Sequence, residues 1–249
     1  MKNRIARFAV LTAAAALALM AAATAAKAQS LSIDLGDGDA SSTARIVQLV
    51  VLLTVLSLAP SILVMATCFT RIVVVLSFLR SALGAQQAPP NIVLVSLALF
   101  LTAFIMAPTF ETIYEDAVQP LMQEQITEEQ ALGRAVDPIR GFMLKHVREE
   151  DLRLFLDRSG VGTPETPEAT PLKALAPAFM ISELRRAFEI GFLLFIPFLV
   201  IDMLVASVLM SMGMMMLPPV MISLPFKLIF FVLVDGWRLV AGSLAQSYG

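Results

Sequence analysis

The chain is poor in the residues that do chemistry. Its 249 residues include one cysteine, one histidine and one tryptophan, and only 15% are Asp, Glu, Lys or Arg. A lone cysteine, Cys68, excludes an internal disulfide, and its place in an apolar run makes it a packing residue. The lone histidine, His146, sits beside Lys145 and Arg148 with no second histidine to share a metal ion, which is a surface or packing setting. No H-E-x-x-H, P-loop or G-x-S-x-G pattern occurs. The expectation is a protein that is not an enzyme and carries no cofactor and no metal.

What the chain has instead is apolar surface. Hydrophobic residues make up 58% of it and the mean hydropathy is +0.81, whereas a soluble domain is about half apolar and about a quarter charged. A bilayer or a membrane-embedded assembly is the fitting solvent. The first 28 residues read as a signal peptide: Lys2, Arg4 and Arg7 precede an Ala/Leu-rich run over 8–26, and Ala26, Lys27 and Ala28 form an A-x-A site. Cleavage after Ala28 places the new N-terminus outside the cytoplasm; an uncleaved first helix is the alternative. Removing four basic residues leaves 14 bases against 20 acids, a formal charge of −6, which argues against nucleic acid as a partner.

After a short acidic lead-in at 29–44, four hydrophobic segments follow: 46–64 with Pro60 interrupting it, 92–107 ended by Pro108, 187–210, and 217–234. An apolar stretch over 65–83 carries Arg71 and Arg80, each costing roughly 2.5–3.5 kcal/mol if left facing lipid. Those arginines require protein, water or an interface. Between the second and third segments, 111–186 holds 14 acids and 9 bases and reads as a soluble helical domain. There Thr127–Gln130 matches a capping box, Asp137 and Pro138 read as a helix start, and 159–171 reads as a loop. The predicted fold class is all-α: about four hydrophobic helical segments, broken by proline and charge into hairpins, plus the helical domain. Five stretches result, 1–28, 29–44, 45–110, 111–186 and 187–249. Four spans with an external N-terminus put the acidic domain on the periplasmic side, with Arg71 and Arg80 weakly agreeing with the positive-inside rule.

Three blocks carry more specific information. In 177–192, Glu183 and Arg186 are three apart and Arg185 and Glu189 four apart, so opposite charges can pair along one helix. Solvated charges on a juxtamembrane helix are the alternative. In 210–216 five of the 14 methionines fall within seven residues, around Gly213 and before Pro218 and Pro219. Thioether chains are apolar and adaptable, and could close on one another and then deform around a variable object. A hydrophobic turn that happens to be Met-rich is the alternative, and composition alone favours it. In 225–238, Lys227 and Asp235 bracket seven apolar residues, too few to cross a bilayer, with Trp237 suited to an interface. Snorkelling anchors at a helix end are the alternative there.

Together these blocks, with Thr70-Arg71-Ile72 and Ala88-Pro89-Pro90-Asn91, resemble the FliP family of type III secretion export-gate proteins, flagellar and virulence, from about Arg45 onward. The resemblance implies a core pore-forming component of a protein export gate in the bacterial inner membrane. It implies several copies packed with FliQ-like and FliR-like subunits into a helical assembly, beside FlhB-like and FlhA-like membrane proteins, with unfolded exported proteins in transit. It further implies that Met212, Met214, Met215 and Met216 form a gasket. Arg71, Glu183, Arg185, Arg186, Glu189, Asp202, Lys227 and Asp235 are then assigned to assembly contacts. The methionine turn and signal peptide favour the flagellar branch over the virulence one. A proton-driven or solute transporter, which would also use Glu189, Asp202 and Lys227, is the rival class, although no internal repeat is visible.

Overall fold

The computed structural model describes residues 39–85, 88–160, 164, 166–214 and 217–248. The signal peptide with its cleavage site, most of the acidic lead-in, Met215 and Met216 lie outside the described residues. The chain divides into two compact units, Met1–Leu56 and Ser57–Gly249. Regular structure among the described residues is helical, without strands. In order, the helices are α1 (Asp39–Ala66), α2 (Phe69–Leu83), α3 (Asn91–Ile113), α4 (Gln119–Met122), α5 (Glu128–His146), α6 (Glu149–Ser159), α7 (Leu172–Ser211), α8 (Pro219–Leu233) and α9 (Gly236–Gln246). A π-helical turn, Tyr114–Val118, joins α3 to α4, and a 3-10 turn, Pro167–Ala169, precedes α7.

In the first unit the described residues belong to α1, and Val47, Val50, Val51 and Leu53 are exposed along it. The second unit is built on α2. Its Ile72, Val75, Leu76, Leu79, Ala82 and Leu83 recur at the three- and four-residue spacing of one helix face and are all buried. Gly84 ends the helix in the left-handed conformation, φ 74°, its N–H bonded to the Ser81 carbonyl. Against α2 lie α7, α3 and α8. The α3 stripe of Leu94, Ala98, Thr102 and Met106 repeats every fourth residue, and Ala187, Phe198, Phe231, Val240 and Leu244 complete the core. A smaller cluster around Met143, Leu175 and Phe179 joins α5 to α7.

Three proline readings need correction. α1 continues through position 60, α3 contains Pro108, and α5 contains Pro138. A proline removes one backbone hydrogen bond, but breaking a helix in apolar surroundings strands several more, so the long apolar runs stay helical. Pro138 is carried by a helix nucleated upstream. There the Thr127 hydroxyl accepts the Gln130 N–H at 3.4 Å and the Thr127 N–H donates to the Gln130 side chain at 3.2 Å, as the capping box requires. Asp137 does not cap; it pairs with Arg140 at 2.8 Å.

Among the described residues, Asn91–Met122 and Leu172–Ser211 are long and apolar enough to cross a membrane, and a third span results if α8 and α9, bent by 62°, count as one. At 40 residues, α7 is about 60 Å long, twice the roughly 30 Å of a hydrocarbon core. Its N-terminal part therefore packs with the polar helices α5 and α6. Only 6% of its most apolar window is buried, so that surface faces lipid or other protein.

Candidate functional site

Two ion pairs, one fully buried and one partly exposed at its acid, tie sequence-distant helices to α7. The first unites Arg71 of α2 and Glu183 of α7, both fully buried. The guanidinium is bidentate on the carboxylate: Nε donates to Oε2 at 2.9 Å and Nη2 to Oε1. This two-point geometry is what makes an arginine pair directional. The remaining Nη1 donates to the Ser247 hydroxyl at 3.0 Å. The Tyr248 hydroxyl donates to Glu183 Oε2, and the Arg71 guanidinium carbon lies 3.8 Å from the Tyr248 ring centre. Burial pushes the Tyr248 phenol well above its ordinary range, which keeps the proton on it for that bond. Phe142 and His146 of α5 pack on the same tyrosine, with centroids at 6.0 and 5.0 Å.

One residue before Glu183, the buried Ser182 hydroxyl accepts the Arg148 backbone N–H at 3.0 Å and lies 2.7 Å from Asp151 Oδ2, to which it donates. Arg148 is the N-cap of α6 and has no side-chain cap of its own. A serine from another helix thus bridges the cap N–H to the carboxylate three residues on. The adjacent positions 182 and 183 therefore fix α6 and α2 to one turn of α7.

The second pair lies toward the other end of α7. Lys227 of α8, buried, donates to Asp202 at 2.6 Å and to the Ala82 carbonyl at 3.1 Å, and the buried Ser223 hydroxyl donates to the other Asp202 oxygen at 2.5 Å. Asp202 retains partial exposure. Ala82 lies in the last turn of α2, where carbonyls lack helical partners and a cation is favourable. Lys227 is therefore a clasp joining α2, α7 and α8 rather than a side chain reaching for an interface.

The other residues singled out in the sequence are placed differently. Arg185 and Glu189 pair at 3.1 Å on an exposed face, as their four-residue spacing predicts. Glu183 takes Arg71 rather than the nearby Arg186, which is half-buried. Asp235 is exposed, with φ 53°, at the bend between α8 and α9, 3.9 Å from Arg238. Met212 and Met214 are exposed where α7 ends, and Gly213 follows with φ 76°. Among the described residues no three His, Cys, Asp or Glu side chains gather as a metal site.

The geometry is that of a membrane-embedded helical scaffold clasped by charge, with apolar faces left open. The FliP family profile matches residues 52–244, which contain both ion pairs and the methionine turn. The chain belongs to the FliP family. Curated relatives agree over most of its length. The flagellar biosynthetic protein FliP of Caulobacter vibrioides is 65% identical over 209 residues, 84% of this chain and 79% of that protein. The Bacillus subtilis protein of the same name is 60% identical over 202 residues, 81% of this chain and 91% of that one. The Aquifex aeolicus protein is 52% identical over 204 residues, covering 81% and 85%.

In this FliP-family chain, sequence reasoning found both partners of each ion pair but not the pairing, because Arg71 and Glu183 are 112 positions apart and Lys227 and Asp202 are 25 apart. It missed Ser182, Ser223, Ser247 and Tyr248. A serine inside an apolar run carries no signal until the helix facing it is known. Tyr248, one of two tyrosines, was equally silent.

Proposed function

We infer that this chain is a core, pore-forming subunit of the flagellar type III protein export gate, with no catalytic role, and that it supports basal-body biogenesis. The observation that carries this reading is the FliP-family match across residues 52–244, strengthened by relatives named flagellar biosynthetic protein FliP at 65% and 60% identity. The flagellar names favour this branch over virulence secretion and over a transporter. The protein is membrane-embedded and works among other export-apparatus components. In the finer reading it sits in the inner membrane, with residues 111–186 on the periplasmic side and the signal removed after Ala28. Several copies then assemble with FliQ-like and FliR-like subunits, next to FlhB-like and FlhA-like proteins. The exposed apolar face of α7 supports that arrangement, since lipid or sibling helices must cover it.

In this reading, closing the gate is a packing problem. An export channel must pass unfolded chains without leaking ions, and methionines at the tip of α7 supply a soft apolar seal. Met212 and Met214 are exposed there; Met215 and Met216 adjoin them in sequence. The charges Arg71, Glu183, Asp202 and Lys227 hold each subunit's helices in register, while Arg185, Arg186, Glu189 and Asp235 serve contacts between subunits. The test is replacement of Met214, Met215 and Met216 together by alanine. The assembled complex is expected to form and small-molecule permeability to rise. Unchanged permeability in an assembled complex removes the gasket role. A chain that purifies as a solitary monomer, indifferent to deletion of the FliQ-like and FliR-like subunits, removes the gate reading itself.

A further inference from the structure

The C-terminal turn after α9 is seated in a way that the export role does not require. α9 packs mainly on α8 and α3, and buries only Gly236, Val240 and Leu244, leaving Trp237, Arg238 and Leu239 exposed. Its deepest attachment lies beyond its own end. The Ser247 hydroxyl accepts from Arg71 Nη1 at 3.0 Å, and the Tyr248 ring contacts both the Arg71 guanidinium, 3.8 Å away, and the Phe142 and His146 rings of α5. At the other end of α9, Asp235 adopts φ 53° in a 62° bend. A non-glycine residue held there marks a local joint between two stiff helices.

We propose that Ser247 and Tyr248 form a reversible latch: when Tyr248 leaves its seat, α9 swings at the Asp235 joint while α2, α5 and α7 remain folded. The seat is suited to opening. Withdrawing a ring from a purely apolar core exposes apolar surface, which is unfavourable throughout. Withdrawing Tyr248 uncovers Phe142 and His146 but also an ion pair, and a buried ion pair regains hydration when it is uncovered, which offsets part of the cost. A polar path leads outward from the pair, because the buried Ser182 next to Glu183 links to Arg148 and Asp151 of α6, which are partly exposed. Since α5 supplies part of the seat, a displacement of α5 within the polar helical stretch reaches α9 through Tyr248. The proposal stands on these contacts and is independent of the export reading.

Thiol accessibility in the full-length, detergent-solubilised protein tests it. In a Cys68→Ala background, Leu79→Cys, 1% exposed and about two turns of α2 beyond Arg71, reports the global fold, and Leu244→Cys, also 1% exposed, reports α9. The two are told apart by peptide mass mapping after maleimide labelling. With Tyr248 present both label slowly. Tyr248→Ala is expected to raise labelling at position 244 at least ten-fold while position 79 stays protected, and Tyr248→Phe, which keeps the ring and loses the bond to Glu183, to give a smaller rise. A parallel rise at position 79, or no rise at 244, overturns the latch. If Leu244→Cys labels rapidly with Tyr248 intact, Val240→Cys replaces it as reporter under the same two criteria.

Discussion

Arg71 is the bulkiest of the fully buried side chains, and its charge is tolerable only while Glu183 faces it. Substituting one partner leaves the other charged and dry, at a cost of about 3–5 kcal/mol, whereas replacing both with apolar residues of similar volume is often near neutral. Glu183→Gln is therefore expected to lower the thermal unfolding temperature strongly, and Arg71→Met with Glu183→Met to recover most of the loss. Additive losses in the double variant would mean that the pair does not act as a unit. His146 responds to pH in the opposite sense to a cation that gains a partner. Burial lowers its pKa from the ordinary 6.5, outweighing the hydrogen bond to the Phe142 carbonyl and the Glu183 charge. The unfolded chain then takes up a proton first. The contribution of a neutral His146 is thus complete above pH 6.5 and is lost as pH falls through the depressed native value. Unfolding temperatures from pH 8 to pH 5 should fall more steeply for the natural chain than for His146→Phe; parallel curves would refute this.

Helix contacts explain both what the sequence discloses and what it conceals. The α2–α7 crossing depends on Gly191, where an added Cβ would lie 2.6 Å from Phe78 Cδ2 and 3.1 Å from Phe78 Cβ. Movement of the ring tip alone does not relieve the second clash. Gly191→Ala is expected to destabilise by about 1–3 kcal/mol, as overpacked cores do. In a Phe78→Ala background, which removes the Cδ2 contact at 2.6 Å and keeps only the looser Cβ contact at 3.1 Å, the same substitution should cost less, a difference that a double-mutant cycle on unfolding temperature reads directly. Nothing in the sequence near Gly191 announces this contact, because Phe78 lies on another helix. Local signals fared better: the Thr127 capping box and the Arg185–Glu189 pair both act within four residues and were legible. So was the all-α class, which follows from long apolar runs. Proline positions misled because a helix boundary is decided by the hydrogen bonds of its neighbours as well as by the missing N–H. The charges of the two clasps were visible as anomalies in apolar runs, while their partners were set by helix packing that no short window contains.

Among its described residues, the unit from Ser57 onward leaves much apolar surface outside and most of its intramembrane charge inside. Phe188, Phe192, Leu193, Met203 and Leu204 of α7 are exposed, and so are Phe100 and Phe104 of α3, whereas Arg71, Glu183 and Lys227 are buried within the chain. A monomer so built has already satisfied the groups that are expensive in lipid, and what remains for contact with sibling subunits is mainly hydrophobic and shape-dependent. Between subunits of a proposed assembly, the exposed charges, chiefly Arg185–Glu189 on α7, then serve orientation more than strength, since exposed pairs contribute about 0–1 kcal/mol and are screened by salt. At 1 M salt the screening length falls to about 3 Å, which removes such pairs while leaving apolar burial intact or strengthened. The purified particle, made with its FliQ-like and FliR-like subunits, is therefore expected to keep its size by light scattering between about 0.1 and 1 M sodium chloride. Dissociation at high salt would instead place the principal subunit contacts on Arg185, Arg186, Glu189 and Asp235, and charge reversal at Glu189 would then break the particle at low salt as well.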